Sequence, residues 1–112
     1  MTLTLDHIQR LNLHALLGAQ RGDVATIRAL WAIQGRLSLT SDEAIAIGLK
    51  RECVSGRDRV MWDPAAAIPT KSIAFSDTGM VRMRAALDTW DSYAAATDRH
   101  WLEPLLCEIL QS

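Results

Sequence analysis

Apolar residues recur at helical spacing in three stretches within the first 48 residues of this chain. Asp6 is suited to begin the first helix, because an aspartate carboxylate accepts a hydrogen bond from a backbone N–H of the first turn. Asp23 is suited to begin the second helix in the same way. The apolar positions predicted for that helix are Val24, Ile27, Leu30, Trp31 and Ile33. Thr40-Ser-Asp-Glu43 has the residues of a capping box, and Gly48 can adopt the left-handed conformation that ends helices. The pattern therefore predicts three helices in this half.

Between about Leu49 and Ser76 the pattern changes to one that favours strands. Val54-Ser-Gly-Arg-Asp58 places turn-forming residues between two strand-like runs. In the second run, Val60 and Trp62 lie on one face by the alternation of a strand. A further short strand is predicted at Lys71–Ser76. The segment is therefore an antiparallel hairpin, or a three-stranded sheet, inserted after the third helix.

Two more helices are predicted after residue 76, and Ser76 or Asp77 is suited to cap the first of them. Met80, Met83, Leu87 and Trp90 are spaced i, i+3, i+7 and i+10, which puts them on one helix face. A last helix begins at Thr97 or Asp98 and has an apolar side. The predicted fold class is α+β and predominantly helical, with about five helices. At 112 residues, the chain is expected to form a single domain over 1–112.

Composition is that of an ordinary soluble protein, with 49% apolar and 22% charged residues. The first residues lack the basic region and long apolar run of a signal peptide, and no stretch approaches the roughly 20 apolar residues that span a bilayer. A cytoplasmic location without membrane attachment is expected. Cys53 and Cys107 have no metal or disulfide spacing, so both are expected to be small core residues in a reducing compartment.

The net charge of −1 argues against indiscriminate binding to nucleic acid or to an anionic membrane. The charge is unevenly distributed, however. Residues 1–62 carry eight Lys or Arg against six Asp or Glu, whereas residues 63–112 carry four against seven. This mild asymmetry is typical of two solvated surfaces of opposite sign.

Residues able to do chemistry do not form a recognisable constellation. His7 and His14 share a helix face, but a zinc site needs three or four ligands, and spacing does not bring His100 or the cysteines to them. The serines lack the context of an activated nucleophile, and no phosphate-binding loop is present. The sequence therefore predicts a protein that is not an enzyme, with no metal, cofactor or small-molecule substrate.

Large apolar residues are unusually abundant near the end of the chain. Two interpretations are open: these residues pack against the first helices, or part of this surface binds a protein, which includes a second copy of the chain as a homodimer. The candidates for a protein interface are Met83, Trp90, Trp101, Leu102 and Leu106. A non-enzymatic protein-interaction module is the first functional hypothesis.

A winged-helix-like regulator that binds DNA is the alternative hypothesis. Three helices followed by a hairpin is the order of a winged helix, and a basic cluster flanks the hairpin turn. In that fold the hairpin would be a wing whose basic residues contact DNA phosphates. The cluster consists of Lys50, Arg51, Arg57 and Arg59. The preceding helix argues against it, because Asp42 and Glu43 are acidic and the remaining residues cannot read base edges.

Short segments along most of the chain resemble a group of small uncharacterised proteins encoded by tailed phages and prophages. They are Leu3-Thr-Leu, Arg10-Leu-x-Leu, Gly22-Asp-x-x-Thr26, Leu37-Ser-Leu-Thr40-x-x-Glu43, Val60-x-Trp62-Asp and Ile73-Ala-Phe75. These segments contain caps, turns and core positions and no catalytic residue. The resemblance implies a phage accessory protein that acts by binding inside a bacterial cell. It leaves open whether such a protein counters host defence, regulates transcription or assists assembly.

Overall fold

The computed structural model describes residues 1–91 and 93–110, with the backbone alone at 51, 54, 57–59 and 110. Over these residues it has five helices and four short strands, which confirms the predominantly helical α+β class. In chain order the elements are β1 Thr2–Leu5, α1 His7–Gly18, α2 Val24–Leu37, α3 Ser41–Ala46, β2 Lys50–Val54, β3 Arg57–Met61, β4 Lys71–Ala74, α4 Asp77–Thr89 and α5 Ala95–Leu110.

The first four helices begin at the capping residues that the sequence predicts. The Asp6 carboxylate accepts from the backbone N–H of Gln9 at 2.8 Å, and the Gln9 side chain accepts from the backbone N–H of Asp6 at 3.0 Å. This reciprocal pair is a capping box, as is the predicted one at Thr40. Asp23 and Ser76 cap α2 and α4. Local hydrogen bonding therefore explains where these helices start.

The chain folds into two compact units, the first formed by residues 1–38 and 70–112. In this unit α1 packs against α2, α4 and α5, α2 packs against α4, and β1 pairs antiparallel with β4. The buried apolar side chains form one cluster: Leu3, Leu5, Leu13, Leu16, Leu17, Leu30, Ile33, Leu37, Ile73, Phe75, Met80, Met83, Ala86, Leu87, Trp101, Leu105 and Ile109.

The predicted strand after residue 70 exists, but its partner is not the hairpin. β4 pairs with β1, with Leu3 opposite Ile73, so the alternative of a three-stranded sheet is wrong. The sequence analysis did not predict β1. Leu3 and Leu5 are fully buried while Thr2 and Thr4 are exposed, which is the alternation expected of a strand with one face on a core.

A buried arginine joins α1 to the end of α2. Arg10 is only 1% exposed, and its Nε donates to the carbonyl of Leu37 at 3.1 Å. Its Nη2 donates to the carbonyl of Ser38 at 2.8 Å. The last carbonyls of a helix have no partner within the helix, so these bonds satisfy groups that would otherwise be costly to bury.

The second unit comprises residues 39–69 and contains α3, β2 and β3. β2 and β3 form the predicted antiparallel hairpin around a two-residue turn, Ser55-Gly56. Both turn residues have positive φ, 54° and 77°, as a type I′ turn requires. Among the side chains described in this unit, only Ile47 is buried.

The last helix begins slightly earlier than predicted, at Ala95 rather than at Thr97 or Asp98. The Asp98 carboxylate accepts from the backbone N–H of Ala94 at 2.7 Å, and the Ala94 carbonyl accepts from the N–H of Asp98 at 2.9 Å. Pro104 lies inside the helix. That residues 1–112 form a single domain stays a prediction.

Candidate functional site

The five interface candidates near the end of the chain differ in burial. Met83 is fully buried and Trp101 is only 4% exposed, so neither presents a surface to a partner. Of the two interpretations that the sequence left open, packing in the core is the one that the burial of both residues favours. Trp90, Leu102 and Leu106 are partly buried and pack against the same core.

Helical spacing explains why Trp101 is buried. Trp101, Leu105 and Ile109 recur every four residues and form the buried side of α5. The Trp101 Nε1 donates to the Asp98 carboxylate at 3.0 Å, which gives a buried indole the hydrogen-bond partner that it needs. The interpretation that this residue packs against the first helices is therefore the one that the structure supports.

The large exposed aromatic residue of the first unit is on α2. Trp31 is 63% exposed and Val24, seven residues earlier, is 69% exposed. Arg28 and Arg36 are exposed on the same helix, which contains no Asp or Glu. We call the exposed side of α2 that carries Val24, Arg28 and Trp31 the α2 face. Arg36 is also exposed, but it lies about 140° around the helix from Trp31, towards α4.

The sequence analysis missed the α2 face because it counted Val24 and Trp31 with the core positions of the helix. Leu30, Ile33 and Leu37 are the buried residues, spaced i, i+3 and i+7. Trp31 follows Leu30 by one residue, which turns it about 100° away on a helix with 3.6 residues per turn. The sequence therefore contained the signal: Val24 and Trp31 are seven residues apart, which places them together on a side of α2 other than the buried one.

An open groove runs beside the α2 face, where α2 packs against α4. It is lined by Ala29, Ala32, Ile33, Arg36, Phe75, Ser76, Thr78, Gly79 and Arg82 and has a volume of about 250 Å³. Arg36 Nη1 donates to the carbonyl of Ala74 at 3.0 Å, and Arg82 Nη1 donates to the hydroxyl of Thr26 at 3.2 Å. Two guanidinium groups are thus held at the groove by neutral oxygen atoms.

Two carboxylates lie near this groove, and each is at the start of a helix. Hydrogen bonds from the backbone and side chain of Thr26 hold the pKa of Asp23 below its ordinary value of 3.8, an effect that burial opposes and the charge of Arg82 assists. Asp77, in the first turn of α4, lies between two lining residues in sequence. Both carboxylates therefore serve helix N-termini, where negative charge is stabilising.

The basic cluster of the alternative hypothesis lies on the hairpin. Lys50 is exposed at the start of β2. The side chains of Arg51, Arg57 and Arg59 lie outside what the structure describes, although their backbone belongs to the two strands. Helix α3, which would read the bases, has six residues and is therefore about 9 Å long.

The residues whose side chains can act as ligands or nucleophiles are dispersed. His7 is 8% exposed, and its Nδ1 has no hydrogen-bond partner within the described part of the chain. Cys53 and Cys107 are both exposed, so the prediction that they are core residues is wrong; Cys107 faces away from the buried side of α5. Among the described residues, no group of three or more His, Cys, Asp or Glu is placed to hold a metal ion.

Comparisons with protein-family models, curated proteins and solved structures found no match to this chain. Across the residues that the structure describes, no helix combines the length and the apolar character needed to cross a membrane.

Proposed function

We propose that this protein is a non-enzymatic binding module that docks on another protein through the α2 face. The observation that carries the proposal is the 63% exposure of Trp31. An indole ring offers a large rigid apolar area, and tryptophan and arginine are enriched among the residues that dominate binding energies. Trp31 and Arg28 on one helix face supply both residue types.

The proposed setting is the cytoplasm of a bacterial cell, with a host or phage protein as the partner. It rests on the resemblance to small phage and prophage proteins, and host-defence inhibition is one activity of this kind. A homodimer built on the same face is an alternative occupant. In that case Trp31 would become buried against a second copy of the chain.

The test is capture from nuclease-treated bacterial lysate with tagged wild-type protein and with Trp31→Ala. We expect the variant to fold normally and to lose about thirtyfold or more in affinity for the captured partner, because truncating an interface Trp removes about 2 kcal/mol or more. Ile45→Ala is the matched control, since Ile45 is 78% exposed on the second unit.

Equal capture by wild type and Trp31→Ala would overturn the proposal. Analytical ultracentrifugation of the wild type and the two variants tests for the homodimer. A homodimer built on the α2 face would dissociate in Trp31→Ala and remain intact in Ile45→Ala. A partner lost equally from both variants would place the interface elsewhere than the α2 face.

Binding of duplex DNA by the hairpin is a second candidate function. One observation favours it: an antiparallel hairpin, with Lys50 exposed, follows α3 directly. Reversing the charge at Arg57 and Arg59 should then abolish duplex binding and flatten its salt dependence. The short α3, with Asp42 and Glu43 in its first turn, keeps this candidate second.

A further inference from the structure

We infer that the partner segment recognised at the α2 face is acidic, an extended run of carboxylate and apolar side chains that occupies the groove between α2 and α4. This inference rests on the proposed function and names the chemistry of its partner. It is carried by the composition of the groove rather than by Trp31. Arg36 and Arg82 line it, while its described lining residues contain no Asp or Glu.

A second groove on the other side of the same helix pair repeats this composition. Its described lining residues are Gln20, Arg21, Thr26, Leu30, Arg82, Ala85, Ala86 and Thr89, again without a carboxylate. Arg82 therefore belongs to both grooves, and a row of arginines, Arg21, Arg82 and Arg36, borders the packing of α2 on α4. Arg28 adds a further positive charge on the exposed side of α2.

The local charge stays positive after the neighbouring acids are included. Asp23 caps α2, Asp77 lies in the first turn of α4, and Asp88 lies between two lining residues of the second groove in sequence. Together they offset three of the four guanidinium groups of this surface. The whole chain has a net charge of −1, so this surface differs in sign from the molecule. A guanidinium presents several N–H donors in a planar fork that matches a carboxylate, which makes an acidic partner the complementary one.

Groove shape favours a peptide segment over a small molecule. A volume of about 250 Å³ is below the 300–1,000 Å³ usual for pockets that enclose small ligands. The α2 residues that line the groove run from Ala29 to Arg36, which is about 10 Å along the helix. A strand-like peptide rises about 3.3 Å per residue, so about four of its residues lie along the groove and alternate between the groove and solvent.

The experiment titrates ¹⁵N-labelled protein with an octapeptide of alternating Glu and Leu, using an octapeptide of alternating Gln and Leu as the neutral control. Each of the four tryptophans gives one indole N–H signal, and the variant Trp31→Phe identifies that of Trp31. We expect only the acidic peptide to shift this signal together with backbone signals of α2 and α4. Its affinity should fall as added salt shortens the Debye length.

Charge-reversal variants locate the binding. Arg28→Glu and Arg36→Glu should each lower the affinity for the acidic peptide by about tenfold, because each removes an attraction between opposite charges and adds a repulsion between like charges. Arg36→Gln retains a hydrogen-bond donor and removes only the charge. Arg99→Glu is the matched control, because Arg99 is an exposed arginine on another helix. It pairs with Glu103 at 2.8 Å on the exposed side of α5.

The inference of an acidic partner would be overturned if the two peptides bound equally well. It would also be overturned if Arg28→Glu and Arg36→Glu left the affinity for the acidic peptide unchanged. A duplex oligonucleotide that displaces the peptide and binds more tightly at the same residues would overturn it in favour of nucleic acid. The proposal of a binding module and the proposal of an acidic partner segment can fail separately. They are distinguished if a partner from lysate is lost with Trp31→Ala but retained with Arg28→Glu and Arg36→Glu. That result would keep the binding module and reject an acidic segment.

Discussion

Trp31 and Trp101 have the same side chain in opposite environments. Trp101 is 4% exposed, and its Nε1 is bonded to Asp98, whereas Trp31 is 63% exposed. Burial of an indole on folding contributes favourable free energy that an exposed indole does not. Trp101 therefore contributes to the stability of the fold, whereas most of the apolar area of Trp31 stays in contact with solvent.

At Arg10 the structure predicts a large effect on stability. Replacing Arg10 with Met preserves much of the apolar stem but leaves the carbonyls of Leu37 and Ser38 without their donors. We expect the free energy of unfolding to fall by about 3 kcal/mol, since each buried unsatisfied group costs about 1–3 kcal/mol. The loss is measured by urea unfolding, in which the midpoint should fall while the m-value stays unchanged.

Arg28→Met is the matched control for this experiment, because Arg28 is exposed on α2. Its stability should stay within about 0.5 kcal/mol of wild type. Equal stability of the two Met variants would contradict a role for Arg10 in holding the end of α2.

The hairpin of β2 and β3 depends on a turn whose residues are not equally suited to it. Gly56 has φ of 77° and Ser55 has φ of 54°, the left-handed region in which Asn is favoured over Ser. Ser55→Asn should therefore stabilise the hairpin by about 0.5 kcal/mol, and Ser55→Val should destabilise it by more. Protection of the β2 and β3 amides against hydrogen exchange measures both changes.

Gly48 gives this prediction an internal comparison. Gly48 also has positive φ, 65°, and ends α3 rather than forming the turn. Gly48→Asn should leave the amides of the hairpin turn less affected than Ser55→Val does. Slower exchange in Ser55→Val than in wild type would be inconsistent with a type I′ turn.

Elements whose signals are local could be predicted from the sequence. The starts of α1, α2, α3 and α4 are set by side chains that bond a backbone N–H three residues away, so a short window contains the whole signal. The hairpin is equally local, with a two-residue turn between its strands. Those parts of the fold needed no knowledge of tertiary contacts.

Elements whose signals are distant could not be predicted. β1 is four residues long, and it is a strand because Leu3 pairs with Ile73, 70 residues later. The candidate site depends on distance in the same way, because only packing against α4 shows which side of α2 remains exposed. Trp31 was therefore counted with the core, and Trp101 could be assigned only as core or interface.

The whole molecule should lose stability in acid partly through carboxylates that cap its helices. Hydrogen bonds from the backbone of Ala94 and the side chain of Trp101 hold the pKa of Asp98 below its ordinary value of 3.8, although burial opposes them. A lowered folded pKa gives stability that is complete above 3.8 and is lost as the pH falls through the lowered value. The same sign applies to Asp23.

Asp98→Ala should therefore lower the free energy of unfolding at neutral pH by about 1 kcal/mol or more, because it removes the acceptor of the Ala94 N–H and of the Trp101 indole N–H. The difference between the variant and wild type in the free energy of unfolding should become smaller as the pH falls below 3.8. Urea unfolding followed by Trp fluorescence over this range measures it. Asp88→Ala is the matched control, with a gap within about 0.5 kcal/mol throughout; a pH-independent gap in Asp98→Ala would refute the charge contribution.

The pairing of β1 with β4 has a consequence for biosynthesis. The ribosome makes residues 2–5 long before residues 71–74, and at about 5–20 residues per second the interval is several seconds. During that time Leu3 and Leu5, fully buried in the folded protein, have no strand to pair with. The nascent chain therefore carries an apolar segment that a chaperone can bind, and the first unit completes its sheet only after β4 has emerged.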